Sequence, residues 1–263
     1  MDAALHGQRS GSGVSTRVLG TDVHPDRTLT DIRAILLDIE GTTTPIAFVQ
    51  QVLFPYARAR VHDYLARHAD DPEVHADIEL LRAEHAAESA HEPRLPPWDP
   101  EAYVYWLMDR DRKSTGLKSL QGRIWDAGYR GGELKGKAEV YPDVRPAFER
   151  WRKAGKQIAI FSSGSVQAQR NLFANTTAGD LSAFLSGYFD TTTGPKREAT
   201  SYRTIATALG HSPQSVLFVS DLVAELDAAH AAGMRTTLCV RGPDDPNDLP
   251  TSHPRIRSFT ELA

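Results

Sequence analysis

The sequence of 263 residues has one cysteine, no long apolar run and no excess of basic charge. With Cys239 alone, no disulfide can form within the chain, which is typical of proteins of a reducing compartment such as the cytoplasm. No apolar run approaches the roughly 18 residues of a transmembrane helix, and the N-terminus lacks a signal peptide's apolar segment, so no membrane partner is expected. A net charge of −4 gives no basic surface for a nucleic acid.

The composition is that of an ordinary globular protein, with 40% hydrophobic and 24% charged residues. The length suits one large domain, or a domain with a second one inserted in it. Residues 1–30 are rich in Gly, Ser, Thr and Asp and show little periodicity, which predicts a disordered N-terminal extension. Cys239 lies in an apolar run, which favours a buried small side chain over a reactive thiol.

Patterns of alternating strands and helices occupy two separate parts of the chain, residues 31–46 and 140–263. Such alternation predicts right-handed crossovers and an α/β core with a Rossmann-like parallel sheet. Residues 47–139 are helical in pattern throughout, which predicts an inserted all-helical cap domain directly after the first strand. A cap inserted there can cover an active site as a lid.

The segment Leu36–Pro45 is the most informative, because an apolar strand runs into Asp38, Glu40, a glycine and three threonines. Ligands bind beyond the carboxyl ends of strands in open α/β sheets. One carboxylate there can act as a nucleophile and the other as an acid or base, and both can help to hold Mg²⁺. The threonines are small donors that suit a phosphate. The alternative is an acid that only caps the turn.

Two later segments offer groups for a phosphate. Ser162 and Ser163 follow a predicted strand and precede a helix, whose N-terminus binds phosphate well, although Ser163 or Ser165 can instead simply cap that helix. Lys196 precedes another helix and can pair with both Asp38 and a phosphate, unless it is a solvated surface lysine.

A second acidic pair follows the predicted strand Ser215–Val219. Asp221 at its end would complete an oxygen cage for Mg²⁺, and Glu225, one helical turn later, could support Asp221 from behind. Alternatively, Asp221 caps the helix and Glu225 is a solvated acid of its first turn.

The order of these groups along the chain resembles that of the haloacid dehalogenase-like phosphohydrolase superfamily. The loop of Asp38 and Glu40 looks like its first motif, Ser162 its second, Lys196 its third and Asp221 its fourth. Most phosphatases of that superfamily have Asp at the position of Glu40.

The resemblance implies that Asp38 attacks phosphorus and that Glu40 protonates the leaving oxygen and then activates water. It also implies a phosphate held by Ser162, Ser163 and Lys196, and Mg²⁺ held by Asp38, Glu40 and Asp221. Whether Glu40 binds the metal by side chain or backbone carbonyl stays open.

Longer strings resemble the enolase-phosphatase E1 (acireductone synthase) family of methionine salvage over about residues 31–262. The matching segments are Leu37–Ile46, Phe54–Tyr56, Asp111–Lys113, Leu120–Gly122, Ser162–Val166 and Ser201–Arg203. The resemblance implies a phosphorylated diketone substrate, Mg²⁺ and a monomer with a helical cap. It does not identify the base for enolisation, for which Glu40 and the cap residues Lys113 and Lys118 are candidates, although both lysines also fit a solvated helix face.

Two other functions fit the same pattern. One is a different phosphatase of the superfamily that acts on a sugar phosphate. The other is a phospho-acceptor module, which also carries an acid at a strand end, although such a module gains little from a lid. A dehalogenase is disfavoured because it needs neither the second acid of the first loop nor Asp221.

Overall fold

A six-stranded parallel sheet forms the centre of the part of the chain that the computed structural model describes, residues 29–112, 114–242 and 251–262. The strands lie in the order β3-β2-β1-β4-β5-β6. Their bounds are Ala34–Leu37 for β1, Gln157–Phe161 for β2, Gly187–Phe189 for β3, Val216–Ser220 for β4, Arg235–Cys239 for β5 and Arg255–Ile256 for β6. The predicted parallel α/β core is therefore confirmed.

The register of the central strands brings their carboxyl ends to one edge of the sheet. Leu37, the last residue of β1, lies between Ile160 of β2 and Val219 of β4. The residues that follow these three strands therefore start from the same level. We call this side, from which the loops after β1, β2 and β4 emerge, the catalytic edge.

The helices fall into two groups along the chain. The first group follows β1 and consists of α1 Ile46–Phe48, α2 Phe54–Arg58, α3 Val61–Arg67, α4 Pro72–Glu88, α5 Pro100–Asp109 and α6 Thr115–Arg130. A π-helical segment, Val49–Leu53, joins α1 to α2. The other group alternates with the strands: α7 Val144–Lys153, α8 Val166–Ala174, α9 Ala199–Ala208 and α10 Val223–Ala231.

Apolar side chains form three buried clusters, two on the sheet and one within the insertion. Because successive side chains of a strand point to opposite faces, Ile35 and Leu37 join one sheet cluster while Leu36 joins the other. The third cluster lies among the inserted helices, around Tyr103 and Leu120. The insertion thus has a core of its own. The division into a catalytic core and a cap at residues 47–139 agrees with this, but stays a prediction.

Several details differ from the sequence-based expectations. Leu29, placed in the predicted N-terminal extension, is buried in the cluster that contains Ile35, so the packed structure includes it. Residues 1–28 lie outside the described residues. The short strands β3 and β6 were not predicted. Cys239 is buried, as expected, and none of the described helices is long and apolar enough to span a membrane.

Candidate active site

The loop after β1 is folded tightly by its own backbone. The carbonyl of Ile39 accepts hydrogen bonds from the N–H groups of residues 42, 43 and 44, at 3.2, 2.9 and 2.9 Å. Gly41 has a φ of +71°, a conformation that favours glycine, and its N–H donates to the carbonyl of Thr44. The N–H of Asp38 donates to the carbonyl of Val219 at 3.0 Å, which extends the β1–β4 pairing up to the first acid.

The three threonines of this loop face inward, not toward a phosphate. Thr42, Thr43 and Thr44 are all fully buried, and the Thr43 hydroxyl donates to the carbonyls of Asp38 and Ile39. The expectation that they supply phosphate donors is therefore wrong for their side chains. The Thr43 hydroxyl instead helps to fix the loop, and thereby the position of Asp38.

Lys196 lies at the centre of a buried charge cluster. Its Nζ is 2.7 Å from Oδ1 of Asp38 and 2.6 Å from Oε2 of Glu225, and its side chain is only 10% exposed. Burial acts to lower the pKa of Lys196, but the attraction of the two carboxylates outweighs it and raises the pKa. The interpretation as a solvated lysine is wrong, and the predicted contact with Asp38 is confirmed.

The backbone on either side of Lys196 is held by the helix that follows it. The Tyr202 hydroxyl donates to the Lys196 carbonyl, and the Ser201 hydroxyl donates to the Pro195 carbonyl, both at 2.7 Å. Gly194 lies so close to α9 that an added side-chain carbon would be 2.3 Å from Oγ of Ser201. Lys196 is thus presented to the catalytic edge by a loop with little room for change.

Glu225 is a buried member of this cluster, not a solvated acid of the first helical turn. Its carboxylate contacts Lys196 and accepts a hydrogen bond from the Ser220 hydroxyl at 3.1 Å. Burial and repulsion by Asp38 raise its pKa. The sequence suggested that Glu225 supports Asp221, whereas the side chain it orients in the structure is that of Lys196.

Asp221 approaches the first acidic loop closely. A side-chain carbon added to Gly41 would lie 2.2 Å from Oδ2 of Asp221, so a glycine is required there. Burial, with repulsion by Asp38 and Glu225, raises the pKa of Asp221 to about 7. No side-chain cap bond is found at the start of α10, whose N-cap is Leu222, so Asp221 is not its capping residue.

The charge balance of the cluster suits a divalent cation. Three carboxylates, on Asp38, Asp221 and Glu225, face a single ammonium group on Lys196. Excess negative charge in a buried site is stabilised by a hard cation with oxygen ligands. Within residues 29–112, 114–242 and 251–262, however, no three His, Cys, Asp or Glu side chains are grouped so as to hold a metal. The exposed side chain of Glu40 therefore does not complete the set, and its part in metal binding stays a prediction.

The serines after β2 differ in their contacts, and one of them caps helix α8. Ser165 is the N-cap of α8 and accepts the N–H of Ala168 at 3.2 Å, so the capping interpretation holds for this residue. Ser162 is buried and accepts the N–H of Gly164, while Ser163 is exposed. Phosphate binding by Ser162 and Ser163 stays a prediction.

Asp190, after β3, is a positioning residue that sequence reasoning did not select. Its carboxylate accepts the Val166 N–H at 3.1 Å and the N–H and hydroxyl of Thr192 at 2.8 and 2.6 Å. Burial acts to raise its pKa, but these hydrogen bonds outweigh it and lower the pKa. Asp190 thereby joins the loop that leads to Lys196 to the start of α8. An aspartate with a threonine two residues later is a recognisable turn signal.

The inserted helices reach this edge through Lys118. Its Nζ donates to the Thr191 hydroxyl at 3.1 Å, so a cap residue contacts the loop after β3. Burial lowers the pKa of Lys118, although nearby Asp190 opposes the shift. Lys118 is thus not on a fully solvated helix face. Lys113, the other lysine considered, lies outside the described residues.

Comparison with known proteins assigns the chain to a family. A model of the haloacid dehalogenase-like hydrolases matches residues 32–233. Enolase-phosphatase E1 of Synechococcus elongatus is 58% identical over 237 residues, which cover 88% of this chain and 98% of the relative. The chain belongs to the enolase-phosphatase E1 family. Enolase-phosphatase E1 of Pseudomonas syringae pv. tomato is 46% identical over 229 residues, or 87% of this chain and 96% of that protein.

Solved structures of other proteins are similar to this chain in fold. The crystal structure of the UTR4 protein of Saccharomyces cerevisiae is 33% identical, with a TM-score of 0.68, and the match covers 87% of this chain and 98% of that one. CbbY of Rhodobacter sphaeroides, solved in complex with phosphate, is 19% identical with a TM-score of 0.56, covers 88% of this chain and 96% of its own, and shares the fold alone. The chain is therefore an enzyme, a phosphatase of the haloacid dehalogenase-like hydrolases.

Proposed function

We propose that this phosphatase is a Mg²⁺-dependent bifunctional enolase-phosphatase of methionine salvage. It would convert 2,3-diketo-5-methylthiopentyl-1-phosphate to 1,2-dihydroxy-3-keto-5-methylthiopentene and phosphate. The observation that carries the proposal is the buried contact of Lys196 with Asp38 at the catalytic edge, beside Asp221. The relatives' printed name, enolase-phosphatase, supports the choice of reaction.

In the hydrolytic step Asp38 is the nucleophile. Its carboxylate attacks phosphorus, and the bond from phosphorus to the ester oxygen breaks as the aspartyl-phosphate forms. Glu40 gives its proton to the leaving oxygen and then takes one from the water that attacks the aspartyl-phosphate and frees Asp38. Lys196, already hydrogen-bonded to Oδ1 of Asp38, would stabilise the negative charge that develops on the phosphoryl oxygens. Ser162 and Ser163 would hold these oxygens from the start of α8.

Mg²⁺ would be held by the carboxylates of Asp38 and Asp221 together with Glu40. The excess of carboxylates around Lys196 supports this placement. When bound, the cation would neutralise charge between the nucleophile and the phosphate. Because the Glu40 side chain does not form a metal-binding group with the other carboxylates among the described residues, its backbone carbonyl would be the ligand, which leaves the carboxyl group for proton transfer.

Enolisation needs a base near the carbon next to a carbonyl. Glu40 and Lys118 are the two described candidates, and Lys113 is a third outside the described residues. Burial lowers the pKa of Lys118, which brings an amine closer to the range of a general base. Its contact with Thr191, on the loop that leads from β3 to Lys196, supports Lys118 as a base at the catalytic edge.

The decisive experiment follows both steps with one substrate. The diketone phosphate is supplied with and without Mg²⁺ while phosphate release and the enol absorbance are recorded together. Both signals should rise with Mg²⁺, and phosphate release should stop in excess chelator. Release from sugar phosphates but not from the diketone phosphate would favour the other phosphatase. An acyl-phosphate that persists without turnover would favour a phospho-acceptor module.

A further inference from the structure

A buried arginine, Arg241, contacts the backbone of the loop that carries Asp38 and Glu40. It lies two residues beyond the end of β5, and because β5 pairs in parallel with β4, it emerges at the catalytic edge. Its Nε donates a hydrogen bond to the carbonyl of Thr42 at 2.9 Å, and its side chain is only 7% exposed. A charge buried this deeply is costly unless it is paired, so its other contacts decide whether the arrangement is stable.

Two aromatic rings and one carboxylate fix the guanidinium group of Arg241. The central carbon of this group lies 4.4 Å from the ring centroid of Tyr141 and 4.4 Å from that of Phe259. Its Nη1 donates to Oδ2 of Asp143 at 2.6 Å. Contacts with two rings and a carboxylate leave the planar guanidinium little freedom to turn, so Nε stays directed at the Thr42 carbonyl.

Asp143 is held in turn by the C-terminal segment, residues 251–262. Its Oδ2 also accepts hydrogen bonds from the Ser258 hydroxyl at 2.9 Å and from the Phe259 N–H at 2.5 Å. Burial acts to raise the pKa of Asp143, but the ion pair with Arg241 and these hydrogen bonds outweigh it and lower the pKa. Asp143 is therefore ionised at neutral pH and keeps its ion pair with Arg241.

The Thr42 carbonyl belongs to the turn that carries Glu40. The N–H of Thr42 donates to the carbonyl of Ile39, so Glu40 lies inside the turn that this bond closes. The next carbonyl, that of Thr43, accepts the N–H of Tyr141 at 3.0 Å. Two successive carbonyls are therefore bound from outside the loop, and both bonds come from residues in contact at the guanidinium. Without the bond to Thr42, the turn would keep its internal hydrogen bonds but lose part of what fixes its orientation.

We propose that Arg241 is a positioning residue, which through the Thr42 carbonyl fixes the acidic loop for proton transfer to the leaving oxygen of the ester. This assignment rests on the proposed function, in which the acid is Glu40. Because Arg241 is buried, it acts through the loop and not on the substrate. A misplacement of about 1 Å in a reacting group can cost about a hundredfold in rate. The loss should grow with the basicity of the leaving group, since a weakly basic oxygen leaves without a proton.

Arg241→Gln and Arg241→Met form a matched pair that separates positioning from a structural role. Both variants lose the ion pair with Asp143, and both side chains are as long as that of arginine up to Nε. Glutamine can present an N–H donor at about that position to the Thr42 carbonyl, whereas methionine cannot. A structural role alone would affect both variants alike. Arg150→Met is the control, because Arg150 donates its described hydrogen bonds to two carbonyls of the same C-terminal segment.

The measurement compares two aryl esters that differ in the basicity of the leaving group. With Mg²⁺ present, kcat/KM is determined for phenyl phosphate and for 4-nitrophenyl phosphate, because this parameter includes cleavage of the ester bond. In Arg241→Met the value should fall by about thirtyfold to a hundredfold for phenyl phosphate, but by no more than about threefold for 4-nitrophenyl phosphate. Arg241→Gln and Arg150→Met should keep the wild-type ratio of the two values within about threefold. Amide hydrogen exchange of residues 41–44, which needs no substrate, should be faster in Arg241→Met alone.

The outcomes separate this inference from the proposed function. Equal losses on both esters in Arg241→Met, or the same change in Arg241→Gln as in Arg241→Met, would overturn the positioning role. Glu40→Gln tests the proposed acid and should lose about a hundredfold or more on phenyl phosphate. If Glu40→Gln keeps the wild-type ratio of the two esters, another group is the acid and the proposed mechanism is wrong, while the ratio in Arg241→Met still decides the role of Arg241.

Two further measures keep the test decisive. If the buried Asp143, left without its cation, prevents folding, the same pair of substitutions is made in an Asp143→Asn protein, in which that residue carries no charge. If the wild type does not hydrolyse aryl phosphates, the hydrogen exchange decides by itself: equal exchange of residues 41–44 in Arg241→Gln and Arg241→Met would overturn the positioning role.

Discussion

The ion pairs of the catalytic edge and those of the inserted helices differ in how deeply they are buried. At the edge, Lys196 and its partners Asp38 and Glu225 are buried, and each forms close ion pairs. In the insertion, ion pairs such as Arg58–Asp109 are half exposed. An exposed pair contributes about 0–1 kcal/mol, whereas removing one partner of a buried pair costs about 3–5 kcal/mol.

The two regions also differ in what holds them together. The insertion is built on aromatic packing, with Tyr103 stacked on Trp106 and in edge contact with His85. The edge instead collects like charges in a buried place, and burial together with repulsion by Asp38 and Glu225 raises the pKa of Asp221. Active sites commonly hold such unfavourable arrangements, which the surrounding fold stabilises. Substitutions at the edge should therefore affect chemistry more than folding, and substitutions in the apolar core of the insertion should do the reverse.

The largest expected effect is that of Asp38→Asn. An amide is a poor nucleophile, so phosphate release should fall by at least about a thousandfold, a loss typical of removing a covalent catalyst. Lys196 keeps Glu225 as a charged partner, and the loss of the Asp38 charge relieves the repulsion of Glu225 and Asp221, so the melting temperature should change little despite the broken ion pair. Enolisation does not need the nucleophile, so in a variant that still binds Mg²⁺ the enol absorbance should rise with the diketone phosphate while a phosphate assay stays flat. Turnover within about tenfold of wild type would remove Asp38 from its assigned role.

Asp221→Asn should lower activity by less than Asp38→Asn, and it should raise the stability of the metal-free protein. Loss of this carboxylate weakens Mg²⁺ binding, and we expect a fall in activity of about a hundredfold. Asparagine also relieves the repulsion from Asp38 and Glu225, so in excess chelator the variant should melt a few degrees above wild type at pH 8. Mg²⁺ should raise the melting temperature of the wild type but not of the variant. Equal stabilisation of both proteins by Mg²⁺ would show that Asp221 is not a ligand.

The convergence of Asp38, Lys196 and Asp221 could be predicted because it depends on chain order and parallel pairing. Apolar strands that end in an acid share one edge once they pair in parallel. The partner of Glu225 could not be predicted. The sequence around an acid in the first turn of a helix is the same whether its side chain is solvated or contacts a lysine from another loop. Only the path of the loop after β3 brings Lys196 to it.

The failures have physical causes of the same kind. Strand β3 has three residues, Gly187–Phe189, too few for a periodic pattern, and pairing with β2 is what makes it a strand. The residue types of the first loop suggest that its threonine hydroxyls donate hydrogen bonds to a phosphate. Their backbone hydrogen bonds to Ile39 turn their side chains inward, and that depends on the loop's conformation more than on its residue types.

The smallest effect on chemistry is expected from Gly116→Ala, within the insertion. Gly116 lies where α6 packs on α4, and an added side-chain carbon would be 2.7 Å from Cγ of Leu81 and 3.1 Å from the Asp77 carbonyl oxygen. A backbone oxygen cannot be relieved by a change of rotamer, so the two helices must move apart. Such overpacking costs about 1–3 kcal/mol, of which the better helix propensity of alanine returns up to about 1 kcal/mol. We expect a melting temperature lowered by a few degrees.

Gly122→Ala is the matched control, because it makes the same change in the same helix. Its added carbon would meet only Oγ of Ser165, at an ordinary contact distance of 3.5 Å, so stability should stay the same or rise slightly. In Gly116→Ala the Kd for inorganic phosphate with Mg²⁺ should stay within about twofold of wild type, since distant sites act almost independently. If Gly116→Ala instead weakens phosphate binding by tenfold or more while it lowers the melting temperature, the packing of α4 on α6 also sets the geometry of the catalytic edge. The contrast between a charged edge that performs chemistry and an apolar core of the insertion that only adds stability would then be wrong, because that core would itself set the shape of the phosphate site.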